Sequence, residues 1–557
     1  MAVLAPLLQR MEVAQIIDQH LPPDPQAEYS HGHVLRLLLS ARLTNPVALC
    51  NVPQWAQTSG ADILWNIPPE KLNDDRLGRA LDAFYYQRHS ILAHLALHVA
   101  EAFQISLECL HYDPTHVLLH GDYANSQPRV TPAVDLRRPS AHDPPAHITY
   151  GHNAKNTKMI QAGVCAAIDD FGAVPLFGHT TDGNHNGHTA IADQCTLLHE
   201  HLPLRKLLLV SDRGTFSAGH VARCQREGFA VLCSAPWNDY RALYEAHHHQ
   251  LHWQRASYLS LEQQRRRTCA SSLPLEHYEL AVLRHHLTDP DSGAAIPCRV
   301  LFVYSTADAK VTQATREKAV AKLNRGLQQL ADSVQAGRRY TDPASVARRV
   351  AKLFGKRGAA QYFHWELQPL TAAEQATLPP PGRGCRRPTH RFLYRFDVAH
   401  AQADGDYDGL SVLVTTAART ESGDSLFSQF KQQNELELAH HQWKTPLVVH
   451  PLFVKNPRRV EALVHLLFIA LMAYHLLQRL YRQRLDPEAP EREKRTTTET
   501  ILRAFATYPL RLERRAYGRV LHTTQLSGRQ RQILLRLGFP TPNQVLSRQL
   551  PHPPPDE

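Results

Sequence analysis

Apolar residues recur at helical spacing through the first hundred residues of the chain. In HVLRLLLSARL they follow Ser30, a residue type suited to capping a helix N-terminus. In LGRALDAFY, Leu77, Leu81 and Phe84 share one helical face behind the cluster Asn73-Asp74-Asp75. Residues 1–105 are therefore expected to form a helical domain. From about residue 106 the period changes. ISLECLHYD and HVLLHGDY, then KMIQAGVCAAID and AVPLFGHT around the turn Asp169-Asp170-Phe171-Gly172, have strand length and patterning and predict a three-stranded meander. TAIADQCTLLHEHL reads as a helix, KLLLVSD as a buried strand ending at Asp212, SAGHVARCQREG as a helix and FAVLCSAP as a strand. The order over 106–237 is three strands, helix, strand, helix, strand.

Between 238 and 405 the pattern is less regular. It holds a strand candidate at RVLFVYS, helical stretches from Thr312 to Phe354, and the Pro- and Gly-containing basic loop LPPPGRGCRRPTHR with Arg383, Arg386 and Arg387. This region is expected to be an insertion. Residues 406–480 resume the core with YDGLSVLVTTA as a strand, DSLFSQFKQQNELELAHHQWK as one helix and the apolar stretch from Val460 to Leu480 as another. That stretch contains Glu461, His465, His475 and Arg479, which points to a buried helix in place of a membrane span. Residues 481–557 are expected to be helical, with a disordered Pro-rich tail PHPPPDE.

Composition narrows the partners. At 557 residues the chain can bury several cores, and 62 Lys and Arg against 52 Asp and Glu leave a formal charge of +10, which favours a polyanion such as nucleic acid. The nine cysteines never form a C-x-x-C pair, so they outline neither a zinc site nor a disulfide framework and fit a reducing cytoplasm. The 35 histidines are spread without an HExxH pattern. The opening residues lack the features of a signal peptide.

Three carboxylates carry the candidate chemistry. Asp113 lies in an apolar strand and needs a partner to offset its desolvation; Asp212 closes the run LLLV and is followed by the chain reversal at Arg213-Gly214. Alone, an aspartate closing a strand is more often a turn or cap residue. Phe430, Gln433, Glu437 and Lys444 are spaced to lie on one face of a single helix. Together the three acids offer hard oxygen ligands for two Mg²⁺ or Mn²⁺ ions, the arrangement that supports in-line attack at a phosphodiester, with Lys444 as a point charge for a phosphate.

With these residues placed, the chain resembles the DDE transposases of bacterial insertion sequences, in the group with a long insertion before the glutamate. LNDDRLGRALDAFY is similar to that group's leader domain, LHYDPTH to its first aspartate motif, LLLVSDRGTFS to its second, and YDGLSVLVTT with FKQQNELELAHHQWK to its strand and glutamate helix. The family's spacing of Tyr, Arg, Glu and Lys is kept here as Phe430, Gln433, Glu437 and Lys444, with the first two residue types changed. The resemblance implies an α/β fold with a ribonuclease H-like mixed-sheet core, a large α+β insertion and helical terminal regions. It implies catalytic and metal-holding roles for Asp113, Asp212 and Glu437, and DNA contacts by Lys444, Gln433, Phe430 and Arg213. The implied partners are double-stranded DNA, as terminal inverted repeats and target, and further copies of the chain in a dimer or larger assembly, with no membrane. Asp182 and Asn184 fall in a segment the family keeps near its site, although a surface loop is the simpler role. A metal-dependent nuclease on the same core and an inactive protein that binds element ends remain open alternatives.

Overall fold

The computed structural model describes the chain apart from residues 24–25, 130–143, 152, 154–155, 186–193, 201–206, 261–275, 338, 356–357, 445–453, 507, 509, 516–517, 524, 543 and 545–557. The chain forms two compact units: one of residues 1–235, 284–299 and 414–557, the other of residues 236–283 and 300–413.

The first unit begins with helices α1 (Leu4–Arg10), α2 (Val13–His20), α3 (His31–Thr44), α4 (Val52–Ser59) and α5 (Asp74–Ala102). The starts of α3 and α5 are set by the expected caps: Ser30 Oγ accepts from His33 N (3.2 Å) and Asn73 Oδ1 accepts from Arg76 N (2.8 Å). A mixed sheet of ten strands among the described residues follows, which includes β1 (Cys109–Leu118), β2 (Lys158–Asp169), β3 (Gly172–Thr181), β4 (Leu208–Ser211) and β5 (Ala230–Ala235), with α6 (Ala218–Arg226) between the last two. Their order across the sheet is β3, β2, β1, β4, β5. β2 is antiparallel to both β1 and β3, whereas β4 runs parallel to β1 and to β5.

ISLECLHYD and HVLLHGDY contribute to the single strand β1, the first of the expected three, which passes through Pro114. The ladder explains why proline is tolerated. Glu108 O accepts from Leu208 N on one side of the strand, and Leu119 N donates to Lys158 O on the other, so the even-numbered residues of β1 turn their backbone groups toward β4. Pairing with β4 ends at Tyr112, so the missing N–H of Pro114 faces the side that β4 has already left.

After β5 the chain runs through α7 (Trp237–His247), β6 (Tyr278–Thr288) and β7 (Ala295–Ser305), and rejoins the first unit over residues 284–299 and again at Val414, within β10 (Leu410–Thr415). Thr416 exchanges two bonds of 2.9 Å with Val231: its N donates to Val231 O, and its Oγ1 accepts from Val231 N. α10 (Gly423–Lys431), α11 (Gln433–Lys444) and α12 (Pro457–Gln483) follow. α12 is long and apolar enough to cross a membrane, and its most apolar window is entirely buried within the protein. It lies close on β3: a Cβ at Gly178 would stand 2.5 Å from the Phe468 ring. Two of the polar residues of α12 meet partners within the protein, Arg479 on Asp169 (2.6 Å) and His475 Nδ1 donating to Ala173 O (2.8 Å). After α13 (Thr498–Phe505) the helical expectation is corrected: β11 (Leu510–Arg515) and β12 (Gly518–Thr523) form a hairpin before α14 (Gly528–Leu537). Antiparallel pairing of two short runs overrode the helical pattern. The Pro-rich tail lies outside the described residues.

Burial holds the imidazoles of His465 and His475 neutral, lowering each to about 3; Arg88 adds to the effect at His465. Both folded values lie below the unfolded value of 6.5, so the stability these residues contribute is complete above pH 6.5 and is lost as pH falls toward 3. Unfolding free energy is expected to drop by about 1.4 kcal/mol per pH unit for each histidine in that window. Denaturant titrations at pH 7.5 and 5.5 would show it, with a shallower dependence for His475→Gln; equal slopes for the two proteins would reject the assignment.

The second unit has its own core. α8 (Thr306–Gln335) and α9 (Pro343–Phe354) bury Leu323, Leu327, Leu330, Val346 and Val350 against Phe363 of β8 (Phe363–Pro369) and Phe392 of β9 (His390–Phe396). β8 and β9 form a two-stranded antiparallel ribbon. Arg316 grips Asp408 through two bonds (2.6 and 2.5 Å), and Tyr362 Oη donates to Asp404 (2.9 Å).

Candidate active site

The site is built on β1. His111 and Asp113 are two residues apart and leave the strand on the same face, and α11 lies across that face. Two contacts fasten it there. Gln433, at the start of α11 and buried, accepts from His111 Nδ1 (3.0 Å) through Oε1 and donates Nε2 to Tyr112 O (3.0 Å). Burial pushes the His111 imidazole down to about 4, which leaves it neutral and fixes the tautomer that donates from Nδ1. Seven residues on, two helical turns, His440 Nδ1 stands 3.0 Å from Asp113 Oδ2. His440 is buried, and its Nε2 has no hydrogen-bond partner among the described residues. Trp443 completes the inward face, stacked on Phe468 of α12 at 4.9 Å.

The two aspartates are neighbours. Tyr112 of β1 is paired with Ser211 of β4, so the next residue on each parallel strand is Asp113 and Asp212. Adjacent strands lie about 4.8 Å apart. Asp212 keeps an extended backbone (φ −85°, ψ 171°) before the short 3₁₀ turn Arg213–Thr215, so by alternation its side chain leaves the sheet on the same side as Asp113. The turn is tied by Thr215, whose N and Oγ1 donate to Asp212 O (3.1 and 2.7 Å). Asp212 and Arg213 are exposed at this edge.

α11 sorts the expected helix residues differently. The helix breaks at Gln432, which places Phe430 on α10 and Gln433 on α11, so the four spaced residues do not share one continuous helix. The inward face is Gln433, Leu436, Ala439, His440 and Trp443, and this turns Glu437 outward to solvent. Gln433 is spent on β1 and presents no group to a ligand. Lys444, half-buried at the end of α11, is lowered by burial, while the charge of Asp113 acts in the opposite direction. Asp182 accepts from the backbone N of Arg129 (3.0 Å) and His147 (2.8 Å), a structural pin for those segments; Asn184 lines a small recess with Pro114, His116 and Gln161.

Asp113 and Asp212 form a pair of hard oxygen donors of the kind a divalent cation takes. A third ligand is not assembled beside them: among the described residues no three His, Cys, Asp or Glu side chains gather closely enough to hold a metal ion. Asp113 is engaged instead by His440. Sequence reasoning missed His111 and His440. The signal was present in the two-residue step from His111 to Asp113 and the seven-residue step from Gln433 to His440, which match a strand face and a helix face.

Comparison with known proteins gives three findings. Residues 1–97 match a family described as a domain of unknown function (DUF4277). No curated protein matches the chain. Among solved structures, the chain is similar to a protein described as "Mos1 transposase paired-end complex with left transposon end", at 11% identity, a TM-score of 0.14, and coverage of 38% of this chain and 60% of that one, a likeness too slight to add weight to the geometry above.

Proposed function

We propose that the chain is a DDE-type DNA transposase that binds the terminal inverted repeats of its own insertion sequence, cleaves at the element ends and joins them to target DNA. The observation that carries this reading is the placement of Asp113 and Asp212 at the same end of adjacent parallel strands, in a sheet ordered β3, β2, β1, β4, β5. That order, with three antiparallel strands followed by two parallel ones, is the one expected of a ribonuclease H-like core. In this reading Asp113, Asp212 and Glu437 would hold two Mg²⁺ or Mn²⁺ ions, whose charge would favour attack by a water or 3′-hydroxyl and departure of the leaving oxygen. Glu437 then belongs to the site only after α11 shifts or DNA binds. Gln433 and His440 fasten α11 to β1 and so set the distance over which Glu437 must travel. Arg213, exposed beside Asp212, and Lys444 are placed to hold phosphates of the cleaved strand. Phe430 serves as an apolar contact to the end DNA, and the active form is a dimer or larger assembly on paired ends.

The test uses the purified full chain with duplexes carrying the DNA that flanks its own gene, in Mg²⁺ or in chelator. Cleavage at an element end that requires Mg²⁺ supports the proposal. Binding without cleavage under either condition favours the inactive end-binding protein, for which the Asp113–His440 contact and the outward Glu437 are the supporting observations. Cleavage without transfer to target DNA favours the nuclease.

A further inference from the structure

The positive charge of this chain is concentrated in one short stretch. Residues 338–395 contain twelve Lys and Arg against three Asp and Glu, so a tenth of the length holds +9 of a formal total of +10. Two of those three acids are occupied as helix caps: Asp342 accepts from Ser345 N (2.9 Å), and Glu374 closes a capping box with Thr371. The charges of Arg348 and Arg391 still act on Asp342 and Glu374 respectively, and the third acid, Glu366, lies exposed on the ribbon.

The second unit displays Arg383, Arg386, Arg387, Arg391 and Arg395 outward because its core faces the other way. In the β8–β9 ribbon, Phe363, Leu367, Phe392 and Phe396 alternate inward onto the core shared with α8. The opposite face pairs His364 with Arg395, Glu366 with Leu393, and Gln368 with Arg391, and all six side chains are exposed. Beside the ribbon, the loop with Arg383, Arg386 and Arg387 is held in place. Arg386 N donates to Gly337 O (2.9 Å), and at Gly337, where φ is +63°, a Cβ would stand 1.7 Å from Arg386 O. Only glycine admits that approach. Among the described residues none of Arg383, Arg386, Arg387, Arg391 and Arg395 forms an ion pair, although a surface this rich in charge ordinarily pairs many of its groups.

We infer that the outer face of the β8–β9 ribbon, with the loop pinned at Gly337, is a docking surface for a DNA duplex, the ribbon entering the major groove and the loop arginines meeting the flanking phosphates. The proposal rests on the transposase reading for its choice of DNA. A two-stranded ribbon is of the size the major groove admits, a groove about 12 Å wide. Arg391 and Arg395 are four residues apart on one strand, about 13 Å, which sets a guanidinium near each end of the ribbon face. Unpaired arginines release condensed counterions when they meet phosphates, and that release supplies affinity without sequence information. Gln368, paired with Arg391 and donating Nε2 to Glu366 Oε1 (2.6 Å), is the side chain positioned to read a base edge.

The experiment measures binding of the full chain to a fluorescent duplex carrying the element end, across a salt series. Arg386, Arg387, Arg391 and Arg395 are replaced together by Gln, and Glu366→Gln is made separately. Loss of four phosphate contacts is expected to reduce the slope of log K against log salt by about 3.6 and to weaken binding at least tenfold at physiological salt. Glu366→Gln removes a negative charge facing the backbone and is expected to tighten binding, a gain that damage to the fold cannot produce. Wild-type binding with an unchanged slope in the fourfold variant overturns the docking surface and leaves the transposase reading standing. Failure of the wild type to bind any duplex overturns that reading and the surface with it. Equal competition by single-stranded DNA or RNA overturns the groove placement.

Discussion

Replacing Glu461 with Ala is expected to lower the unfolding free energy by about 3–5 kcal/mol, the cost of leaving buried charges without their partner. Glu461 is 1% exposed. Its carboxylate accepts from Arg88 Nε (3.1 Å), from Arg129 Nη2 at both oxygens (2.7 Å each), from Thr180 Oγ1 (2.7 Å) and from Ala146 N (2.7 Å). Burial would raise its pKa, but Arg129 and Arg88 outweigh burial and hold the carboxyl below the ordinary glutamate range. One side chain therefore joins α5, β3, α12 and the segments around residues 129 and 146. Glu461→Gln keeps an acceptor but loses the charge, so it should recover only a minor part of the loss. The sign of the pH dependence follows from the depressed pKa. The stability Glu461 contributes is complete above the unfolded value of 4.5 and is lost as pH falls below it. Denaturant unfolding at neutral pH measures the effect, and a loss under about 1 kcal/mol for the alanine variant would show that the network is not what holds these elements together.

The second large effect is on chemistry. Glu437→Gln is expected to reduce Mg²⁺-dependent end cleavage by at least about 100-fold, the scale of removing one charge-stabilising group from a transition state. Glu437 is exposed and turned away from the packed face of α11, so the change leaves the unfolding midpoint where it was. Asp113→Asn should abolish cleavage to a similar extent, but it also alters the contact with His440 and is the less clean variant. Cleavage at the wild-type rate in Glu437→Gln would remove this residue from the reaction and locate the third acid elsewhere.

The sheet was legible because its strands carry strong local signals. KLLLVSD and FAVLCSAP are short apolar runs between helices, and they became the parallel strands β4 and β5. The caps at Ser30 and Asn73 were equally visible, since capping depends on a few adjacent residues. The placement of Asp113 beside Asp212 was not visible. It follows from the register of β1 against β4, which pairs residues a hundred positions apart. The face of α11 was misjudged for a related reason. Spacing puts Phe430, Gln433, Glu437 and Lys444 in line on an ideal helix, but a break at Gln432 and the burial of Leu436, His440 and Trp443 decide which side turns inward. Tertiary packing chose the face, and Gln433, expected to meet DNA, became a fastening to β1. The C-terminal hairpin was hidden by helix-forming residues on either side of it.

The bonds between Thr416 and Val231 have a consequence for how such a chain can change over time. The polypeptide leaves the core after Ala235, rejoins the first unit over residues 284–299 and returns again at Val414 beside the strand it first left, so the outer ends of the excursion are already neighbours in the first unit. Closing a longer excursion between fixed ends costs only about 0.6 kcal/mol for each doubling of its length. Residues 300–413, which hold a separate core, are thus free to be lengthened, shortened or exchanged among descendants of this gene, while the strands bearing the two aspartates keep their alignment.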